Sequence, residues 1–168
     1  DLFSLLVTSE LGLDMDGDLV LTAAEQTVLD ELITAWPPEY AGDLEVSQNG
    51  VILDLGRKHS HSMRYTDGLF IENHTRPVAA KIDPAAPISI RVFDPTFYTA
   101  YDLKQPVPIT GRDDCTVAVT PADIDAAYDL AAEMLDGADA FDPDPYAYFP
   151  PIGHAFADRI TVSCAGQL

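Results

Sequence analysis

Twelve consecutive residues have the residue types and the spacing of a calcium-binding loop. Residues 14–25 (DMDGDLVLTAAE) carry carboxylates at loop positions 1, 3 and 5, an apolar residue at position 8 and Glu at position 12. That pattern is typical of the EF-hand, in which position 7 adds a backbone carbonyl and position 12 closes the shell with both carboxylate oxygens. The predicted ligands are Asp14, Asp16, Asp18, Val20 through its carbonyl, Thr22 directly or through a water, and Glu25.

Loop position 6 departs from the pattern, because Leu19 stands where the EF-hand has Gly, and Gly17 lies two residues earlier. A bulky residue with positive φ costs about 1–2 kcal/mol. We therefore expect either an affinity reduced roughly tenfold or a different turn. Four carboxylates around one point favour Ca²⁺, with Mg²⁺ or a lanthanide as alternatives at the same loop. The competing interpretation is an acid-rich turn between two helices.

Histidines offer a second and weaker metal site. His59 and His61 are two residues apart, so on a strand both would face one side and could share a transition metal. Two exposed imidazoles at the end of a hairpin are the more common outcome. A mixed site of His154 with Asp142 or Asp144 is a further alternative.

The two cysteines, Cys115 and Cys164, each occupy one end of an alternating segment. If the two segments are neighbouring strands, the cysteines can form a disulfide, whereas two buried free thiols are the alternative. A disulfide would close a loop of about 50 residues and stabilise the fold by roughly 4 kcal/mol in the loop-entropy model. It would also indicate an oxidising compartment, either the periplasm or the cell exterior.

Charge and hydropathy exclude several classes of function. The chain has 28 Asp and Glu against 9 Lys and Arg, a formal charge of -19. Such a surface repels nucleic acid and anionic lipid and attracts cations. No apolar run reaches the roughly 18–20 residues that a membrane helix needs. Since no nucleophile elbow, phosphate-binding glycine loop or zinc-protease motif occurs, we expect no enzyme; the remote alternative is a hydrolase with an acidic cleft around 136–154.

Hydrophobic periodicity predicts helices followed by strands, and therefore an α+β fold. The length of the chain predicts a single domain, residues 1–168. An EF-hand-like helix pair (1–36) should pack on a mostly antiparallel sheet of about six or seven strands. A later helix at 121–135, capped by Thr120 or a residue near it, and an irregular loop leading to a last strand (136–168) complete the order. The strands within 42–119 are predicted at 44–46, 51–55, 60–66, 68–74, 86–93, 97–103 and 113–119.

Four segments together resemble domain of unknown function family 1007. They occur in the same order along nearly the whole chain: DLFS at 1–4, the acidic loop at 14–25, VFDPTFY at 92–98 and FADRITVSC at 156–164. The resemblance implies an exported protein, the periplasmic component of an uncharacterised ABC-type transport system, often encoded near nickel, cobalt or zinc transporters. Family members typically carry a His-x-His start upstream, which this sequence lacks, so a metal role of those histidines does not transfer to His59 and His61.

Taken together, these observations predict a periplasmic or secreted, metal-ion-associated accessory protein with an EF-hand-like calcium site. Its partners would be the metal ion and an envelope metal-transport protein, with no nucleic acid and no membrane insertion. The alternative is an envelope interaction module whose calcium site is purely structural.

Overall fold

Two helices come first, a run of strands follows, and one later helix precedes the last strand, as the sequence predicts, so the α+β class is confirmed. The computed structural model describes residues 2–35, 43–95, 101, 103, 105–135 and 151–165. Within them the elements are α1 (Leu2–Leu11), α2 (Ala23–Thr34), β1 (Leu44–Gln48), β2 (Val51–Ile52), β3 (Ser60–Thr66), β4 (Leu69–Thr75), β5 (Ile88–Val92), β6 (Cys115–Thr120), α3 (Ile124–Leu135), a short 3-10 helix (Gly153–Ala155) and β7 (Arg159–Cys164).

The chain forms two compact units, the first of which is Asp1–Gly42 with Leu55–Val78 and the second Asp43–Asp54 with Ala79–Leu168. The single domain expected from chain length stays a prediction. No described helix combines the length and the apolar character that crossing a bilayer requires.

In the first unit, α2 packs against β3 and α1 packs against β4 of the β3–β4 hairpin. Leu13, Leu29 and Ile33 form the buried core of this unit, and Leu21, Met63 and Phe70 pack against it from the loop and the hairpin. The hairpin turns through Asp67 and Gly68, whose φ angles are 53° and 75°. Positive φ at both central residues is the signature of the two-residue turn that matches the twist of paired strands.

The second unit contains a five-stranded antiparallel sheet in the order β2-β1-β5-β7-β6. Cys115 and Cys164 are directly opposite each other in β6 and β7 and are joined by a disulfide, as the alternating segments predict. Ala127 of α3, with Ile152 and Ile160, is among the buried apolar residues of this unit.

The seven strands within the described residues divide between two sheets, of five and two strands, where the sequence suggests one. The late helix begins at Ile124, not at Pro121. Of the residues near Thr120, Asp123 is the cap, because its Oδ1 accepts the Ala126 N–H at 3.1 Å. Most of the strand predicted at 97–103 and most of the irregular loop predicted from residue 136 onward lie outside the described residues.

Removing the disulfide should destabilise the protein substantially. The two cysteines are 49 residues apart, and the loop-entropy model for that length gives a loss of about 4 kcal/mol in the free energy of unfolding. The check is urea unfolding of the double variant Cys115→Ser, Cys164→Ser against the oxidised parent. A loss below about 1 kcal/mol would show that the bridge does little to restrict the unfolded chain.

Candidate metal centre

Three carboxylates converge in the loop between α1 and α2. Asp14, Asp16 and Asp18 each place one oxygen so that the three oxygens lie within 4.8 Å of one another. Among the described residues they form the one group of three or more carboxylate, imidazole or thiol ligands with that spacing. Asp14 is half-buried, and the other two are exposed. Like charges this close disfavour one another, so a cation between them would relieve the repulsion.

The loop backbone turns where an EF-hand loop must turn. Leu19, at loop position 6, has φ 65°, and Asp14 and Gly17 also have positive φ, 50° and 72°. Asp14 Oδ1 accepts the Leu19 N–H at 3.2 Å, and Asp18 Oδ1 accepts the Val20 N–H at 2.9 Å. Of the two outcomes expected from the missing glycine, the loop therefore adopts the usual turn and bears the strain of a bulky residue there.

The tip of the β3–β4 hairpin supports this strained segment. Val20 forms an isolated antiparallel bridge with Thr66, the last residue of β3. The side chain of Leu19 lies beside Gly68, with Cδ2 3.8 Å from where a Cβ on that glycine would be. The hairpin thus gives this single loop the extended neighbour that EF-hands usually obtain from a second hand. Leu21, the apolar residue at loop position 8, packs against the core.

Glu25 caps α2 and does not join the three aspartates. Its Oε2 accepts the Thr22 N–H at 2.9 Å and the Thr22 hydroxyl at 2.7 Å, and its Oε1 accepts the Met15 N–H at 3.2 Å. Thr22 Oγ1 in turn accepts the Glu25 N–H at 3.3 Å, which completes a capping box. These hydrogen bonds, the one from the Thr22 hydroxyl foremost, lower the pKa of Glu25, so its carboxylate is ionised beside the loop.

The structure gives the two predicted histidines different surroundings. His59 is exposed and precedes β3, and its backbone N–H donates to the Thr75 carbonyl at 2.9 Å. His61 lies on the less exposed face of β3, with Nε2 2.8 Å from Glu72 Oε1. Its cross-strand neighbour is His74, and the two ring centroids are 6.3 Å apart.

The remaining histidine alternative cannot be built from the described residues. His154 is exposed, and its Nδ1 lies 3.0 Å from the Pro151 carbonyl oxygen. Asp142 and Asp144 lie outside the described residues.

Glu72 and His74 are the residues that the sequence interpretation missed. A signal for them was present, because the Asp67–Gly68 dipeptide is a two-residue hairpin turn that fixes the strand register. That register pairs His61 with His74 and sets Glu72 two pairs nearer the turn, opposite Met63. Side chains two positions apart on one strand share a face, so the three polar side chains meet.

The fold and the loop define an acidic α+β protein that opens with a helix–loop–helix carrying a carboxylate cluster suited to a hard cation. The chain belongs to the family described as protein of unknown function (DUF1007), whose model matches residues 1–164. The family resemblance noted from the sequence is thereby confirmed. No curated protein and no solved structure matches the chain.

The capping box should contribute measurably to stability in the absence of metal. Thr22→Ala removes the acceptor for the Glu25 N–H and should lower the free energy of unfolding by about 1 kcal/mol in chelator. The matched control is Thr27→Ala, since Thr27 is exposed inside α2 and its hydroxyl binds only the Ala23 carbonyl among the described contacts. Equal losses in the two variants, measured by denaturant unfolding, would argue against the cap.

Stability should also fall on mild acidification because of His74. Burial, above all, lowers the pKa of His74, the charges of Lys58 and Arg76 lower it further, and Glu72 opposes them. Since the unfolded chain then takes up the proton more readily, the free energy of unfolding should decrease as the pH falls below about 6.5. The check is urea unfolding in chelator between about pH 8 and pH 5. His74→Asn should flatten this pH dependence, whereas His59→Asn should leave it intact. If His59→Asn flattens it and His74→Asn does not, His74 is not the group responsible.

Proposed function

We propose that the protein is a periplasmic or secreted, metal-ion-associated accessory protein whose EF-hand-like loop binds Ca²⁺. The observation that carries the proposal is the convergence of Asp14, Asp16 and Asp18 on a loop that turns with positive φ at Leu19. In this view the cation ties the helix pair to the β3–β4 hairpin. The proposal assigns the protein no catalytic step.

The donor set favours a hard cation of moderate affinity. Ca²⁺ takes six to eight oxygen ligands, and the three aspartates, the Val20 carbonyl and water can supply most of them. Glu25 must give up hydrogen bonds from Thr22 and Met15 to contribute both of its oxygens. That competition weakens binding, so we expect a Kd of about 0.1–1 mM, the range of extracellular calcium modules.

Binding at the loop would act on the hairpin as well. Calcium would remove the repulsion among the aspartates, and the loop is joined to the hairpin tip through the Val20–Thr66 bridge and the Leu19–Gly68 contact. A ligand that binds only the folded state stabilises it in proportion to its occupancy. Calcium should therefore raise the stability of the first unit as a whole.

Two further observations support the compartment and the partner. The Cys115–Cys164 disulfide is compatible with an oxidising, extracytoplasmic setting, where calcium is available at millimolar concentration. The family resemblance supports a link to metal-ion transport at the cell envelope, and the net charge of -19 favours cations over anionic partners.

Calcium should stabilise the protein, and loss of two loop charges should abolish the effect. At 10 mM Ca²⁺ the expected gain in the free energy of unfolding is about 1.4–2.7 kcal/mol, for 10 to 100 times Kd. The variant Asp14→Asn, Asp16→Asn removes two charges while Asn retains an oxygen to accept the Leu19 N–H. Calorimetric titration measures calcium binding and thermal unfolding measures the gain in stability, both at ionic strength matched with NaCl.

The control is Asp129→Asn with Glu133→Gln, which removes the same charge from exposed positions of α3. This control should respond to calcium as the parent does. If the loop variant responds equally well, calcium is acting as a diffuse counterion and the loop is not its site. An equal response to NaCl alone would lead to the same conclusion.

A further inference from the structure

A second cluster of possible ligands lies on the β3–β4 hairpin, away from the loop. The possible ligands are His61, Glu72 and His74; their side chains, and that of the neighbouring Lys58, are exposed by no more than 16 %. The His61–His74 pair is five residue pairs from Thr66–Leu69, the pair that flanks the turn. At about 3.4 Å per residue, roughly 17 Å separates the cluster from the hairpin tip that contacts the loop.

The two imidazoles approach one carboxylate oxygen, His61 at hydrogen-bond distance and His74 at the separation of neighbouring ligands around a tetrahedral metal ion. His61 Nε2 lies 2.8 Å and His74 Nδ1 3.4 Å from Glu72 Oε1. Ligands about 2.0–2.1 Å from a tetrahedral Zn²⁺ are about 3.3–3.4 Å from one another. These three atoms do not all lie within 4.8 Å of one another, as the three aspartate oxygens do. The two imidazole nitrogens are therefore more than 4.8 Å apart, and the rings must turn toward each other to bind one cation.

We propose that His61, Glu72 and His74 form a binding site for a borderline divalent cation of the zinc class, completed by water. Two imidazoles and one carboxylate are a donor set that zinc uses when one coordination position stays open. Nitrogen ligands disfavour calcium, so this site and the loop select different cations. The site also replaces the His59–His61 pair suggested by sequence spacing, because His59 is exposed ahead of the strand.

The register of the hairpin positions these ligands. His61 and His74 are direct cross-strand partners, and Glu72 lies two residues before His74 on the same face of β4. Ligands on paired strands are held by the backbone ladder, which limits the rearrangement that binding requires. The rearrangement is confined to the rotation of side chains.

Lys58 opposes the cation. Its Nζ is 4.0 Å from Glu72 Oε1, the same oxygen that the imidazoles approach. A divalent ion at this oxygen would lie a few ångströms from the ammonium group, and like charges at that distance repel. Removing the Lys58 charge should therefore tighten binding, an effect that a purely structural hydrogen-bond cluster would not show.

The test is titration of the full chain with Zn²⁺ by calorimetry and with Co²⁺ by visible absorption. Each of His61→Asn, His74→Asn and Glu72→Gln should weaken binding roughly tenfold or more, since loss of even an outer-shell partner costs about 10–100-fold. Lys58→Met should strengthen it by roughly tenfold. His59→Asn, the matched control, should leave both titrations unchanged, and circular dichroism verifies that each variant is folded.

The loop variant Asp14→Asn, Asp16→Asn separates this proposal from the calcium site. It should lose the calcium response and retain the affinity for zinc. The proposal is overturned if zinc affinity disappears in the loop variant, if His59→Asn weakens it as much as His61→Asn, or if Lys58→Met leaves it unchanged. Absence of a saturable Zn²⁺ or Co²⁺ signal in the parent would overturn it as well.

Discussion

A single electrostatic constraint shapes the loop between α1 and α2, which is the close approach of three negative charges at one end of a helix pair. Asp14, Asp16 and Asp18 lie within 4.8 Å of one another, although isolated carboxylates would separate in water. The backbone holds them there through a left-handed turn at Leu19, an unfavourable conformation for that residue. The repulsion among the carboxylates and the left-handed turn both cost free energy in the absence of a counterion. A hard cation would offset the repulsion.

The hairpin makes this arrangement possible in a chain with one such loop. Its tip bridges Val20 and contacts Leu19, and its inner face contributes Met63 and Phe70 to the packing around Leu29. The loop, the second helix and the hairpin therefore pack together in the first unit. Zinc-class ligands on the same hairpin would add a second cation dependence without competing for the loop, since their chemistry differs.

Local signals in the sequence predicted much of this structure. Thr22 and Glu25, three residues apart, have the spacing of the capping box that starts α2, and the alternation around Cys115 and Cys164 predicted paired strands and their disulfide. The division of strands between two sheets was not predictable from periodicity, which defines strands and not their partners. β1 pairs with β5 and β5 with β7 over long separations, and only tertiary packing selects those neighbours. The association of His61 with Glu72 and His74 required the register of the hairpin, a step beyond the spacing of single residues.

The most direct measurement of the central claim is anomalous diffraction from crystals grown in millimolar CaCl₂, or soaked in a lanthanide salt. The account predicts one peak within the loop, with oxygens of Asp14, Asp16 and Asp18 and the Val20 carbonyl at about 2.3–2.6 Å from it. Glu25 should then have turned from Thr22 toward the ion. Ordinary solvent density in the loop under those conditions, with the three carboxylates directed apart, would contradict the account.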